Sequence, residues 1–127
     1  TIPTYLACVA IAAYKTVHQN FSGINGNVPV ELQGVASDTT GIKNSFVNLQ
    51  AAFNTFEQRY GAYQWNKVGY SFVPFTGGAM EHATNITYPR SFATGALNFE
   101  TIMAHELSHH WFGNYVTMTW WDDLWLN

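Results

Sequence analysis

The chain has 127 residues, five basic and eight acidic side chains, a net charge of −3, and a composition that is 47% hydrophobic and 17% aromatic. Only 10% of it is charged, against about 25% in an ordinary soluble protein, so there is no basic surface for nucleic acid, while the apolar content excludes disorder. The single cysteine, Cys8, excludes an internal disulfide framework and a cysteine-based zinc cluster, and the length fits one domain or part of one.

In chain order, Tyr5 to Ile11 is a continuous apolar run that predicts a buried strand. The run to Tyr14 is too short for the ~20 residues of a membrane span, and it lacks the basic flank and cleavage site of a signal peptide. Turn chemistry from Asn20 to Asn27 precedes a short strand, Val28–Leu32, whose Pro29 argues for a sheet edge. Ile42, Phe46, Leu49, Phe53, Phe56 and Tyr60 recur at steps of four and three, the apolar stripe of a helix closed by Gly61. Val68–Val73 reads as a strand ended by Pro74, and Ile86–Tyr88 as a shorter one ended by Pro89. Phe99 to Trp111 reads as a helix ended by Gly113-Asn114, and Trp120 to Asn127 as the start of another. Polar Thr, Asn, Ser and Gln in place of charge favour an extracytoplasmic protein, and the sequons at Asn20 and Asn85 matter only in a host that glycosylates.

His105-Glu106-Leu107-Ser108-His109 carries the chemistry. Four helical residues advance ~6 Å and turn ~400°, so both imidazoles leave one face a turn apart, as two nitrogen ligands of one Zn²⁺ require. Glu106, one step round, flanks such an ion and can take a proton from a water whose acidity the metal has raised. His110 points ~100° away from His109 and is not expected to ligate. A catalytic zinc wants three protein ligands. The pattern that supplies a third histidine fails at Phe112 and Tyr115, which leaves Asp122, Asp123 or a residue beyond Asn127.

Gly78-Ala79-Met80-Glu81, then His105-Glu106-Leu107-Ser108-His109-His110-Trp111-Phe112-Gly113-Asn114, then Trp121-Asp122-Asp123-Leu124-Trp125-Leu126-Asn127 together resemble the M1 family of zinc aminopeptidases. The resemblance implies an α+β fold: the N-terminal half of a thermolysin-like (gluzincin) catalytic domain, with a small mixed sheet followed by the metal helix. Pro3-Thr4-Tyr5-Leu6-Ala7 resembles the last strand of that family's N-terminal β domain. The implied division is residues 1–20 for the end of that domain and a linker, and residues 21–127 for the first half of the catalytic domain. In the family the third ligand is a glutamate with eighteen residues between it and the second histidine; His110 to Asn127 are eighteen residues, so the resemblance puts that ligand directly after Asn127. It also implies that Asn127 orients His109 from behind, and that the tyrosine which stabilises the transition state lies downstream.

Twenty-four residues before His105, Glu81 has its own logic. Glycines let a backbone approach closely, an extended edge at Gly78, Ala79 and Met80 can pair with substrate main chain, and Glu81 supplies the charge for a free α-ammonium. The family usually has Asn after this glutamate; here it is His82, which bears on the environment of Glu81. The expected activity is zinc-dependent removal of N-terminal residues from peptides, with peptides bearing a free N-terminus as partners. A thermolysin-like endopeptidase and a non-catalytic truncated domain are the rivals. The chain alone is expected to be inactive, and the Trp120, Trp121 and Trp125 cluster is expected to favour self-association.

Overall fold

A computed structural model describes residues 2–127, apart from the side chain of Leu126. Its frame is a four-stranded mixed sheet in the order β1-β2-β3-β4. β1 (Tyr14–Gly23) and β2 (Gly26–Val35) form a hairpin paired along its whole length, with Ile24 and Asn25 at the turn. β3 (Val68–Val73) then pairs with β2, and β4 (Ile86–Pro89) with β3, both in parallel. Two helices, α1 (Thr39–Ser45) and α2 (Leu49–Tyr60), carry the chain from β2 to β3, and α3 (Glu100–Ser108) follows β4.

The predicted strands β3 and β4 and the apolar stripe of 42–60 are found, and the stripe builds the core. Ile42, Phe46, Leu49 and Phe53 are buried with Val30, Leu32, Tyr70, Phe72, Tyr88, Met103 and Leu107. The single predicted helix is broken at Phe46, where φ is −108° and ψ is 16°. The break seats the Phe46 ring edge-on against Tyr70, Phe72 and Tyr88 at centroid distances of 4.9, 5.3 and 5.4 Å, an arrangement worth more than the area it buries.

Two expectations are corrected. Tyr5–Ile11 is not a buried strand: Thr4–Leu6 is one 3₁₀ turn, only Leu6 is buried, and Val9 and Ile11 are 86% and 90% exposed. Among the described residues no strand pairs with it, which leaves Val9 and Ile11 uncovered. β2 is not an edge strand, since β1 and β3 flank it; Pro29 is tolerated one residue outside the stretch that pairs with β3. Residues 20 and 21 both lie inside β1, where pairing with β2 is continuous. The two C-terminal helices are also shorter than predicted: α3 ends at Ser108, and the last segment is a 3₁₀ helix over Trp121–Leu126.

Candidate active site

Two buried tyrosines hold α3 to the sheet. Tyr70 donates its hydroxyl to the Met103 carbonyl at 2.8 Å, and Tyr88 donates to the Phe99 carbonyl at 2.9 Å. Burial and neighbouring acidic groups raise both phenols above their usual range, so both remain protonated donors. Beyond Ser108 the helix tightens into turns, and Trp111 packs on Tyr63, Phe56 and Phe53 with its indole N–H donated to the Gly61 carbonyl at 2.7 Å.

On this scaffold the Nε2 atoms of His105 and His109 converge to 3.1 Å, their rings nearly perpendicular at 83°. Two nitrogens bonded at ~2.0–2.1 Å to one tetrahedral zinc ion would stand about 3.3 Å apart, so this pair fits zinc. His109 Nδ1 lies 3.2 Å from the Phe112 carbonyl. A carbonyl only accepts, so Nδ1 keeps its proton and Nε2 presents a lone pair. Burial also holds the His109 imidazole below its ordinary value and therefore neutral, with Glu81 opposing. Among the described residues no group of three or more metal-ligating side chains forms, so Asp122 and Asp123 do not complete the site.

Glu106 lies beside this pair, 5% exposed, with Oε2 buried and without a hydrogen-bond partner. Burial first, and the charge of Glu81 second, push its carboxyl up to about 7. A carboxylate poised near neutrality with an unpaired oxygen is suited to accept a proton. His110 is 1% exposed, and burial lowers its imidazole to about 4. Its Nδ1 is 2.7 Å from the Tyr63 hydroxyl, so it is a neutral core residue facing away from the pair, as the helix geometry predicted.

The segment bearing Glu81 lies along β4. Met80 exchanges both main-chain hydrogen bonds with Thr87, each 3.0 Å long, so this stretch is an added antiparallel edge, with Gly78 exposed and Ala79 and Met80 half-buried. The loop behind it closes on β3: a Cβ on Gly69 would stand 2.2 Å from the Thr84 carbonyl oxygen, so only glycine admits this approach. Ser71 donates to Asn85 Oδ1 at 2.7 Å, and the His82 ring is hydrogen-bonded to the Thr87 hydroxyl. Burial lowers the His82 imidazole and Glu81 opposes it.

Glu81 is 7% exposed and held twice, by Asn114 Nδ2 donating to its carbonyl at 2.6 Å and Asn127 Nδ2 donating to its Oε1 at 3.0 Å. Asn127 thus bonds Glu81, and the partner of His109 Nδ1 is the Phe112 carbonyl instead. Asn127 meets the turn that follows α3 at Gly113, whose φ is +119° and whose missing Cβ would lie 2.1 Å from Asn127 Oδ1. Sequence reasoning passed over Asn114 and Tyr70. A buried amide just past the glycine that ends an apolar helix was the available signal for the first; the second is indistinguishable from core until its hydroxyl is placed.

Two converging imidazoles flanked by a buried acid form the arrangement of a metal-dependent hydrolase. Residues 45–127 match the Peptidase family M1 domain. The chain is similar to aminopeptidase N of Streptomyces lividans, 33% identical across 99% of this chain and 16% of that protein. It is likewise similar to bovine glutamyl aminopeptidase, 33% identical across 98% of this chain and 14% of that protein. A crystal structure of an M1 zinc metallopeptidase from Deinococcus radiodurans superposes with a TM-score of 0.71 at 25% identity, over 89% of this chain and 25% of that one. The chain belongs to peptidase family M1. It spans about a sixth or less of the length of these curated relatives.

Proposed function

We propose that the protein carrying this chain is a zinc aminopeptidase that removes N-terminal residues from peptides. What supports the reading is the position of Glu81, a buried residue whose carboxylate is held by Asn127 and whose main-chain carbonyl is tied by Asn114 to the segment that bears the histidine pair. His105 and His109 would hold Zn²⁺ together with a third ligand from outside the described residues. When bound, the ion supplies Lewis acidity to a substrate carbonyl and lowers the pKa of a water.

The chain's own groups do the rest. The Glu81 carboxylate binds the substrate's α-ammonium, which fixes the first peptide bond opposite the histidine pair and refuses blocked or internal residues. The Gly78–Met80 edge aligns the substrate backbone. Glu106 takes a proton from the attacking water and delivers it to the nitrogen of the departing amine, so base and acid are one side chain used twice.

The test is hydrolysis of aminoacyl anilides, free and N-acetylated, by the full-length protein with and without chelator. Cleavage of free substrates only, lost to chelator and restored by zinc, is the expected result. Equal cleavage of acetylated substrates would make it an endopeptidase, and no cleavage at full zinc content would leave a metal site without this chemistry.

A further inference from the structure

We propose that Asn114 is a positioning residue that sets the spacing between Glu81 and the metal-binding turn at His109, and through that spacing the preference for a free amino terminus. The proposal rests on the reading of Glu81 given above.

The observation is one short side chain joined to both halves of the site. The Asn114 main-chain N–H donates to the His109 carbonyl at 2.9 Å, and its Nδ2 donates to the Glu81 carbonyl at 2.6 Å. Asn114 is 2% exposed, so neither bond is shared with bulk water. On the far side, Glu81 is limited by the pairing of Met80 with Thr87. Asn114 is therefore the direct polar tie from the Glu81 main chain to the helix end that carries His109.

An exopeptidase needs such a tie more than an endopeptidase does. The anchored ammonium and the histidine pair must stand one residue apart along the substrate, and a misplacement of ~1 Å can cost about a hundredfold in rate. Asn127 cannot fill this role, because it holds the Glu81 carboxylate and leaves the main chain free. A packing role for Asn114 predicts loss of fold or metal; a spacing role predicts loss of discrimination at constant metal.

The experiment compares Asn114→Asp, which keeps the shape and removes the amide donor, and Asn114→Ala with the unaltered full-length, zinc-loaded enzyme. kcat and KM are measured on free and N-acetylated aminoacyl anilides, with zinc content and melting temperature in parallel. The expected result is a fall of about tenfold or more in the free-to-acetylated ratio of kcat/KM, the size of one buried hydrogen bond, at full zinc content. Both ratios within about twofold of the unaltered enzyme would overturn the proposal, as would loss of zinc in step with loss of the ratio. If the unaltered enzyme itself ignores N-acetylation, the reading of Glu81 fails and this proposal with it, a result visible before any substitution is made.

Discussion

The hydroxyl of Tyr70, on the inner strand β3, donates to the carbonyl of Met103 two residues before His105. Tyr70 is fully buried, so this bond fixes α3 against the sheet where packing alone would let it slide. Tyr70→Phe keeps the ring and leaves a buried carbonyl short of a donor. We expect a loss of about 1–2 kcal/mol in urea unfolding, with the loss of zinc affinity following the displacement of α3.

Glu106→Gln tests the proton-transfer role. Because burial and Glu81 already push the Glu106 carboxyl up to about 7, the site accommodates a neutral side chain of the same shape. Turnover by the full-length enzyme should drop by roughly a thousandfold with zinc content unchanged, the scale of a lost general base. Activity within a few-fold of the original would place the base elsewhere.

Gly69→Ala probes the close approach of β3 and the loop behind Glu81. A new methyl 2.2 Å from the Thr84 carbonyl and 3.4 Å from Asn85 Cα has no flexible side chain to displace, so the loop main chain must move. The expected cost is about 1–3 kcal/mol, together with weaker binding of substrates that depend on Glu81. Thermal unfolding and KM report the two effects separately.

The Lys67–Glu31 pair, 2.6 Å apart and about 30% exposed, gives a pH signature remote from the site. The hydrogen bond from Lys67 holds the Glu31 carboxyl below its usual range. Its contribution is therefore present above the ordinary carboxylate range and is lost as pH falls through the depressed value. Lys67→Met should cost up to ~1 kcal/mol at neutral pH and almost nothing in acid, once Glu31 is protonated in the folded state as well, read from urea unfolding across that range.

Local pattern carried much of this fold. The Val68–Val73 run, the Pro89 stop and the four-residue histidine spacing each depend on neighbours in the chain, and each is found where it was read. What escaped depends on distant partners. Glu57 lies off the apolar stripe of α2 yet is buried, because the main-chain N–H groups of Ile24 and Tyr63 both donate to it at 2.9 Å. The run at Tyr5–Ile11 has strand composition without a paired strand among the described residues. The break at Phe46 answers to three rings on β3 and β4, none visible from within residues 42–60. The site divides in the same way: the HExxH segment was legible as a motif, whereas the grip of Asn114 on Glu81 spans 33 residues.

That span bears on the order in which the molecule is made. The β1–β2 hairpin closes across a two-residue turn, but Tyr63 reaches His110 over 47 residues, Trp65 reaches the same residue over 45, and Glu81 meets Asn127 over 46. Closing long loops is entropically costly and slow, so contacts of this kind form late and open first. The hairpin is thus the early, durable part of the molecule, and the chemistry stands on its last-formed contacts. Mild denaturant should therefore silence the site while the hairpin amides still resist hydrogen exchange.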